Sequence, residues 1–204
     1  DDVDELIALL KGYPNDSDFF YEMRARDREP GFAHLSPVER AARTIYLNKT
    51  CYNGLYRVNN SGQFNAPFGR YANPKICDEP NLRAVSEYLS SHDVTFFNGD
   101  YAAVEANEGD FVYFDPPYDP VNPTSNFTGY QSGGFGRADQ IRLKETCDAL
   151  NARGVKFLLS NSATDFIKEL YADYRVEIVG ATRAVNSVAS KRGKVDEVLV
   201  RNYA

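Results

Sequence analysis

A chain of 204 residues with 43% hydrophobic residues, 14 Tyr and 13 Phe has the material for one domain, or for one domain carrying an inserted subdomain. Its net charge of -6 argues against a uniformly basic nucleic-acid binder, the first residues do not read as a signal peptide, and no stretch approaches the roughly 20 apolar residues of a membrane span. Three cysteines (Cys51, Cys77, Cys147) without metal-type spacing and two scattered histidines (His34, His92) argue against a zinc site and fit reduced thiols in a cytosolic protein.

In chain order, the spacing predicts an amphipathic helix over Asp2–Leu10 with Leu6, Ile7, Leu9 and Leu10 inward. A second helix is expected over Ser17–Arg28 with Ser17 as N-cap. Its Arg24, Arg26 and Arg28 alternate with Asp27 and Glu29, which reads as a solvated face. Ser36-Pro37-Val38-Glu39 combines a cap, a proline at the first helical position and a glutamate three residues on, so a helix starts there and runs to about Lys49. Residues 50–76 change to Asn, Gly, aromatic and basic residues in loop-like order. That stretch is either a surface hairpin, from the turn signals Asn53-Gly54 and Ser61-Gly62, or a nucleic-acid surface in which Arg and Asn read base edges. Glu79–Ser91 is expected as a helix and Val94–Asn98 as a short strand. Phe111–Phe114 is a run of aromatic and β-branched residues and reads as a central parallel strand buried on both faces. Residues 119–137 form a long loop, a length that is commonly functional or disordered. A helix over Ala138–Arg153 closed by Gly154, a buried strand from Val155 to Leu159, a helix over Thr164–Tyr171, and a strand pair at Tyr174–Val179 and Glu197–Val200 complete the chain. The order is that of an α/β fold with a mostly parallel sheet.

Charge is unevenly spread. Between Asn48 and Ile76 the charged residues are Lys49, Arg57, Arg70 and Lys75; between Gly180 and Val195 they are Arg183, Lys191, Arg192 and Lys194, with no acid in either stretch. Two such stretches can make a local basic footprint on an acidic protein, or simply a solvated face.

The sharpest motif is Asp115-Pro116-Pro117-Tyr118 behind the Phe111–Phe114 run. Two prolines end the strand, because neither can donate to a sheet ladder and each restricts the residue before it. A carboxylate, a stiff turn and an aromatic ring then sit at the carboxyl end of a strand, the edge where open α/β sheets bind ligands. A plain strand cap is the alternative for the tetrapeptide alone.

The chain as a whole resembles the N6-adenine DNA methyltransferases of the Dam type, which include methylases paired with GATC-cutting restriction enzymes. The likeness covers nearly all 204 residues. It rests on Tyr46-Leu47-Asn48, Asn53-Gly54-Leu55-Tyr56-Arg57, the Phe64–Tyr71 block, Gly99-Asp100-Tyr101, Asp110–Tyr118, Asn126-Phe127-Thr128 with Tyr130, Leu159-Ser160-Asn161-Ser162 and Val195–Val200 before Asn202-Tyr203. The resemblance implies a Rossmann-like sheet, mostly parallel with a C-terminal antiparallel hairpin, and an inserted, mainly helical DNA-recognition subdomain. Residues 1–12 and 93–204 would form the catalytic domain and 13–92 the insert. It implies S-adenosylmethionine as cofactor, double-stranded DNA as partner, neither metal nor membrane, a cytoplasmic location in a prokaryote or phage, and methylation of adenine N6 within GATC by base flipping. The family's Lys-containing Gly-Gly segment and Phe-x-Gly-x-Gly turn, which cradle the cofactor, have no match here, and Ser132-Gly133-Gly134-Phe135-Gly136 lacks the preceding strand needed to replace them. The chain is therefore expected to begin inside the catalytic domain, and a DNA-binding fragment without a complete cofactor site is the alternative to an enzyme.

The same resemblance distributes roles. Asp115, Pro116, Pro117 and Tyr118 would be catalytic: Asp115 and the Pro116 carbonyl accept the protons of the target amine, and Tyr118 stacks on the extruded base. Asp1, Asp100, Tyr101 and Asp115 would hold the cofactor. Asn53, Leu55, Arg57, Pro67, Arg70 and Tyr71 match the target-recognition surface, with Arg57 the foremost base reader, and Lys191, Arg192 and Lys194 look like phosphate contacts.

Overall fold

The computed structural model describes residues 2–121, 135–182 and 194–204. The chain divides into two compact units, Asp1–Phe97 and Asn98–Ala204.

The first unit is helical. Helix α1 (Val3–Gly12) buries Ile7 and Leu10 and half-buries Leu6 and Leu9, the face its periodicity marks. Helix α2 spans Ser17–Ala25 and is capped by Asp16, not Ser17 as expected, since the Asp16 carboxylate accepts from the Asp18 and Phe19 N–H groups at 2.9 Å each. A carboxylate at this position also meets the positive end of the helix dipole. Helix α3 (Pro37–Thr50) starts with the expected box: Glu39 N–H donates to Ser36 Oγ, and Ser36 N–H donates back to Glu39. Helix α4 spans Glu79–Ser91. Helices α1 and α2 pack on α3, around a core of Leu10, Phe20, Met23, Ala42, Tyr46, Leu47, Cys51, Phe64 and Ala66. Tyr46 lies at its centre, and its OH donates to the Pro14 carbonyl at 3.0 Å. Burial pushes that phenol up to about 12.

The arginines around the end of α2 are more than a solvated face, since half-buried Arg24 and exposed Arg28 are both tied to backbone carbonyls. Arg28 donates to the Phe64 carbonyl at 2.8 Å and Arg24 to the Ala66 carbonyl at 3.2 Å. Arg43, 6% exposed, donates to the Met23 and Arg24 carbonyls and pairs with Asp27 at 2.8 Å. Asp27 also accepts the Phe64 N–H at 2.8 Å. Carbonyls freed at the end of α2 need donors, and a planar guanidinium supplies several at once. The expected strand at Val94–Asn98 does not form: the segment carries no ladder, and Phe96 and Phe97 are 78% and 80% exposed. Apolar composition alone cannot make a strand where no described neighbour pairs with it.

The second unit is a sheet with helices. Strands β1 (Phe111–Phe114), β2 (Lys156–Ser162), β3 (Arg175–Thr182) and β4 (Lys194–Arg201) lie in the order β1-β2-β4-β3. The β1–β2 pair is parallel, joined through helix α5 (Arg137–Ala152), while β4 runs antiparallel to both β2 and β3. A short helix α6 (Asp165–Leu170), capped by Thr164, follows β2. The core between sheet and helices is Leu143, Cys147, Phe157, Leu159, Ile167, Tyr171, Val198 and Val200. Asn202 ties the bottom edge, accepting from Phe157 N–H and donating to the Val155 carbonyl, both at 2.9 Å. The reading of β1 as a central strand buried on both faces needs correction. Phe111 and Tyr113 are 56% and 54% exposed, because among the described strands β1 pairs with β2 alone. Among the described residues no helix is long and apolar enough to cross a membrane, and no group of three His, Cys, Asp or Glu could hold a metal ion.

Candidate active site

In the second unit, the parallel register places Phe114 opposite Leu159, so the next residues on each strand, Asp115 and Ser160, emerge side by side at the carboxyl edge. Ser160 is buried and its hydroxyl donates to Asp115 Oδ1 at 3.1 Å. That uses its one proton, so the Tyr113 hydroxyl, 3.0 Å from Ser160 Oγ, is the donor of the next bond. One carboxylate oxygen is thereby oriented from behind. Asp115 itself is exposed; the next acid along, Asp119, is 5% exposed, and its carboxylate accepts from Thr164 Oγ1 at 2.7 Å.

Pro116, Pro117 and Tyr118 are half-buried and continue the turn. Burial raises the Tyr118 phenol above its ordinary value, and the neighbouring Ser160 hydroxyl pulls the other way. Asp115 to Pro117 wall a cleft of about 480 Å³ together with Asp100, Tyr101, Phe135 and Arg142. The structure thus brings together four of the predicted groups in this unit: Asp100, Tyr101, Asp115 and the proline turn.

Asp100 is gripped in a bidentate pair by Arg142, both bonds 2.8 Å, and accepts the Ala102 N–H at 2.9 Å. The guanidinium, first, and the backbone N–H hold its carboxyl below the usual carboxylate value. Arg142 also lies over the Tyr101 ring at 5.1 Å, and Tyr101 meets Phe114 edge-on. The Tyr101 hydroxyl is buried with no hydrogen-bond partner among the described residues. Sequence reasoning missed Arg142 because a helix residue 42 positions from its partner carries no local signal.

The predicted recognition residues lie in the first unit. A turn at Tyr52–Gly54, with Asn53 at φ 54° and Gly54 at φ 62°, reverses the chain after α3. Two arms then run together: Val58 bridges Phe64, Cys51 bridges Phe68, and Tyr52 N–H donates to the Pro67 carbonyl at 2.8 Å. Gly69 crosses so near Cys51 that an added Cβ would stand 2.7 Å from its carbonyl oxygen. The stretch is therefore a hairpin-like loop anchored on α3. Arg57 is exposed, and Asn65 accepts from its Nε at 2.6 Å and Nη2 at 3.0 Å. This leaves the end-on edge of the guanidinium open. Pro67 and Arg70 are exposed, Leu55 is half-buried, and Arg70 holds φ 55°. Tyr71 accepts the Asn53 N–H at 2.9 Å, so those two predicted readers brace each other. Asp1, Lys191 and Arg192 lie outside the described residues, as do Asn126–Thr128 and Tyr130; Lys194 opens β4, and its side chain is also outside the description.

Residues 1–185 match the family of D12 class N6 adenine-specific DNA methyltransferases. The type II methyltransferase M1.LlaDCHI of Lactococcus lactis subsp. cremoris is 43% identical over 207 residues, covering 100% of this chain and 73% of the relative. The type II methyltransferase M.MjaIII of Methanocaldococcus jannaschii is 43% identical, covering 99% and 73%. The DNA adenine methylase of Escherichia coli (strain K12) is 37% identical over 165 residues, covering 80% and 58%.

Proposed function

The chain belongs to the D12 class N6 adenine-specific DNA methyltransferases, and we propose that it transfers a methyl group from S-adenosylmethionine to the adenine of GATC in duplex DNA, taking the target base out of the helix. The observation that carries this is the arrangement at the carboxyl edge of β1: an oriented, exposed Asp115 carboxylate and a rigid proline turn on one cleft, with the half-buried Tyr118 next in the chain.

Adenine's amino nitrogen is a poor nucleophile because its lone pair is delocalised into the ring. Asp115 and the Pro116 carbonyl need only accept the amine's protons, so that the nitrogen becomes tetrahedral as it attacks. Acceptors fixed beforehand, by Ser160 behind Asp115 and by the ring of Pro116, stabilise charge where it develops. Tyr118 offers a face for the extruded base. The residues present suit the cofactor: the cleft joins two acids, Asp100 and Asp115, to aromatic walls at Tyr101 and Phe135. When bound, S-adenosylmethionine would supply a methyl already activated by a sulfonium, and Asp100, Tyr101 and Asp115 are the described residues that would hold it.

Target recognition belongs to residues 13–92 in this proposal, chiefly Asn53, Leu55, Arg57, Pro67, Arg70 and Tyr71, with Lys191, Arg192 and Lys194 on phosphates. GATC is supported by the likeness of Asn53–Tyr71 to the Dam-type segment, and a cytoplasmic location follows from the substrate. The test is incubation of the full-length protein with labelled S-adenosylmethionine and duplexes with and without GATC. Label confined to GATC duplexes is expected; equal labelling of both sinks the site choice, and label on cytosine sinks the base. Arg57→Ala is expected to lower discrimination at one base pair by about 1–3 kcal/mol, read as the ratio of kcat/KM on the site and on single-base variants. An unchanged ratio would remove Arg57 from the recognition surface.

A further inference from the structure

Tyr118 sits between two peptide planes, and both are held by buried side-chain amides. On one side the Pro117 carbonyl accepts from Gln140 Nε2 at 2.8 Å. On the other the Asp119 N–H donates to Asn161 Oδ1 at 2.9 Å. The two amides are joined, since Asn161 Nδ2 donates to Gln140 Oε1 at 3.1 Å. Gln140 is 1% exposed and Asn161 fully buried.

The direction of this chain of bonds is forced. A proline carbonyl can only accept and a backbone N–H can only donate, so each amide has one orientation that works. Asn161 Oδ1 takes a further N–H, from Ser162 at 2.8 Å, which fixes the same orientation independently. A peptide group is planar, so holding the Pro117 carbonyl sets the plane before Tyr118, and holding the Asp119 N–H sets the plane after it. Between them they define φ and ψ of Tyr118, and hence where its ring can go. Buried amide pairs are costly unless fully satisfied, and a leucine pair would fill this part of the α5–β2 interface without that cost.

We propose that Gln140 and Asn161 are positioning residues of the methyl-transfer site, a clamp that aims the Tyr118 ring at the target base. This rests on the reading of Tyr118 given above. Neither residue touches the cleft chemistry in this role; each acts through the backbone on either side of the tyrosine.

The test uses the full-length protein, unmethylated DNA and labelled S-adenosylmethionine under single-turnover conditions, with DNA affinity and thermal unfolding measured alongside. Gln140→Glu keeps the acceptor for Asn161 and turns a carboxylate toward the Pro117 carbonyl; Asn161→Asp keeps the acceptor for Asp119 N–H and loses the donor to Gln140. Each variant breaks one link at nearly constant volume, so one remains informative if the other unfolds. Each is expected to slow transfer about tenfold to a hundredfold, with DNA affinity held. In a Tyr118→Ala background, where no ring is left to aim, the same changes are expected to alter the rate by less than about twofold. Losses that multiply in the double variants would overturn the clamp, because a general structural role adds to any background. A slow Tyr118→Ala beside native-rate Gln140→Glu and Asn161→Asp also sinks the clamp and leaves the proposed function standing. A native-rate Tyr118→Ala removes the tyrosine from the chemistry, and the clamp falls with it.

Discussion

Asp115→Ala is expected to lower the rate of methyl transfer by about 10²–10³-fold while leaving DNA affinity and thermal stability close to those of the unaltered protein. The stability half of the expectation follows from exposure: Asp115 contributes one hydrogen bond, from a Ser160 hydroxyl that can turn to its other neighbour, Tyr113. The catalytic half follows from position. The carboxylate is oriented by Ser160 and its residue lines the cleft, so an amine proton finds an acceptor that needs no rearrangement. Asp115→Asn is the informative companion, because an amide retains one acceptor oxygen without the charge; its rate should fall between the two. Rapid-quench measurement on a single adenine-containing duplex separates the chemical step from product release. A native single-turnover rate for Asp115→Ala would show that proton acceptance lies elsewhere.

The second large effect is on stability. Asp27→Ala should destabilise the helical unit by about 3–5 kcal/mol, since it leaves the Arg43 guanidinium buried without its counter-charge. Burial already drives the Arg43 pKa down, and Asp27 is the neighbour that offsets this. The same substitution strips the Phe64 N–H of its acceptor, at the root of the arm that carries Asn65, Pro67 and Arg70. Urea unfolding followed by tyrosine fluorescence gives the magnitude. A loss below about 1 kcal/mol would mean that water reaches Arg43 and the ion pair is effectively a surface one. Partial rescue by the double change Asp27→Ala with Arg43→Met would identify the unpaired charge, rather than the lost packing, as the cause.

Much of the helical unit was legible from short-range signals. Ser36-Pro37-Val38-Glu39 announced α3 because a cap, a proline and a returning glutamate act within four residues. The spacing of Leu6, Ile7, Leu9 and Leu10 marked the buried face of α1 for the same reason. Misreadings came where a nearby rival or a distant partner decided. Asp16 displaced Ser17 as a cap because a carboxylate does the same work with a favourable charge. Arg24 and Arg28 looked solvated because the carbonyls they bind, Ala66 and Phe64, lie some forty residues on. Val94–Asn98 had the composition of a strand and no neighbour to pair with.

The candidate site divides along the same line. Gln140 stands on the stripe of Leu143, Cys147 and Leu150, a polar residue on the apolar face of α5, and that oddity was visible in the spacing. Its partner was not, because Asn161 reaches it only through the pairing of β1 with β2 and the packing of α5 on β2.

By itself the sequence determined the class of chemistry and the place of the acid: a strand of apolar residues ended by two prolines must turn there, and the residue before them must face the turn. Only the tertiary structure decided which oxygen of Asp115 is held, that Arg142 grips Asp100, and that two amides fix the peptides around Tyr118. Caps, turns and periodicity are energies of neighbouring residues and can be read along a chain. Hydrogen bonds between groups twenty to forty residues apart exist only once the strands have chosen their register.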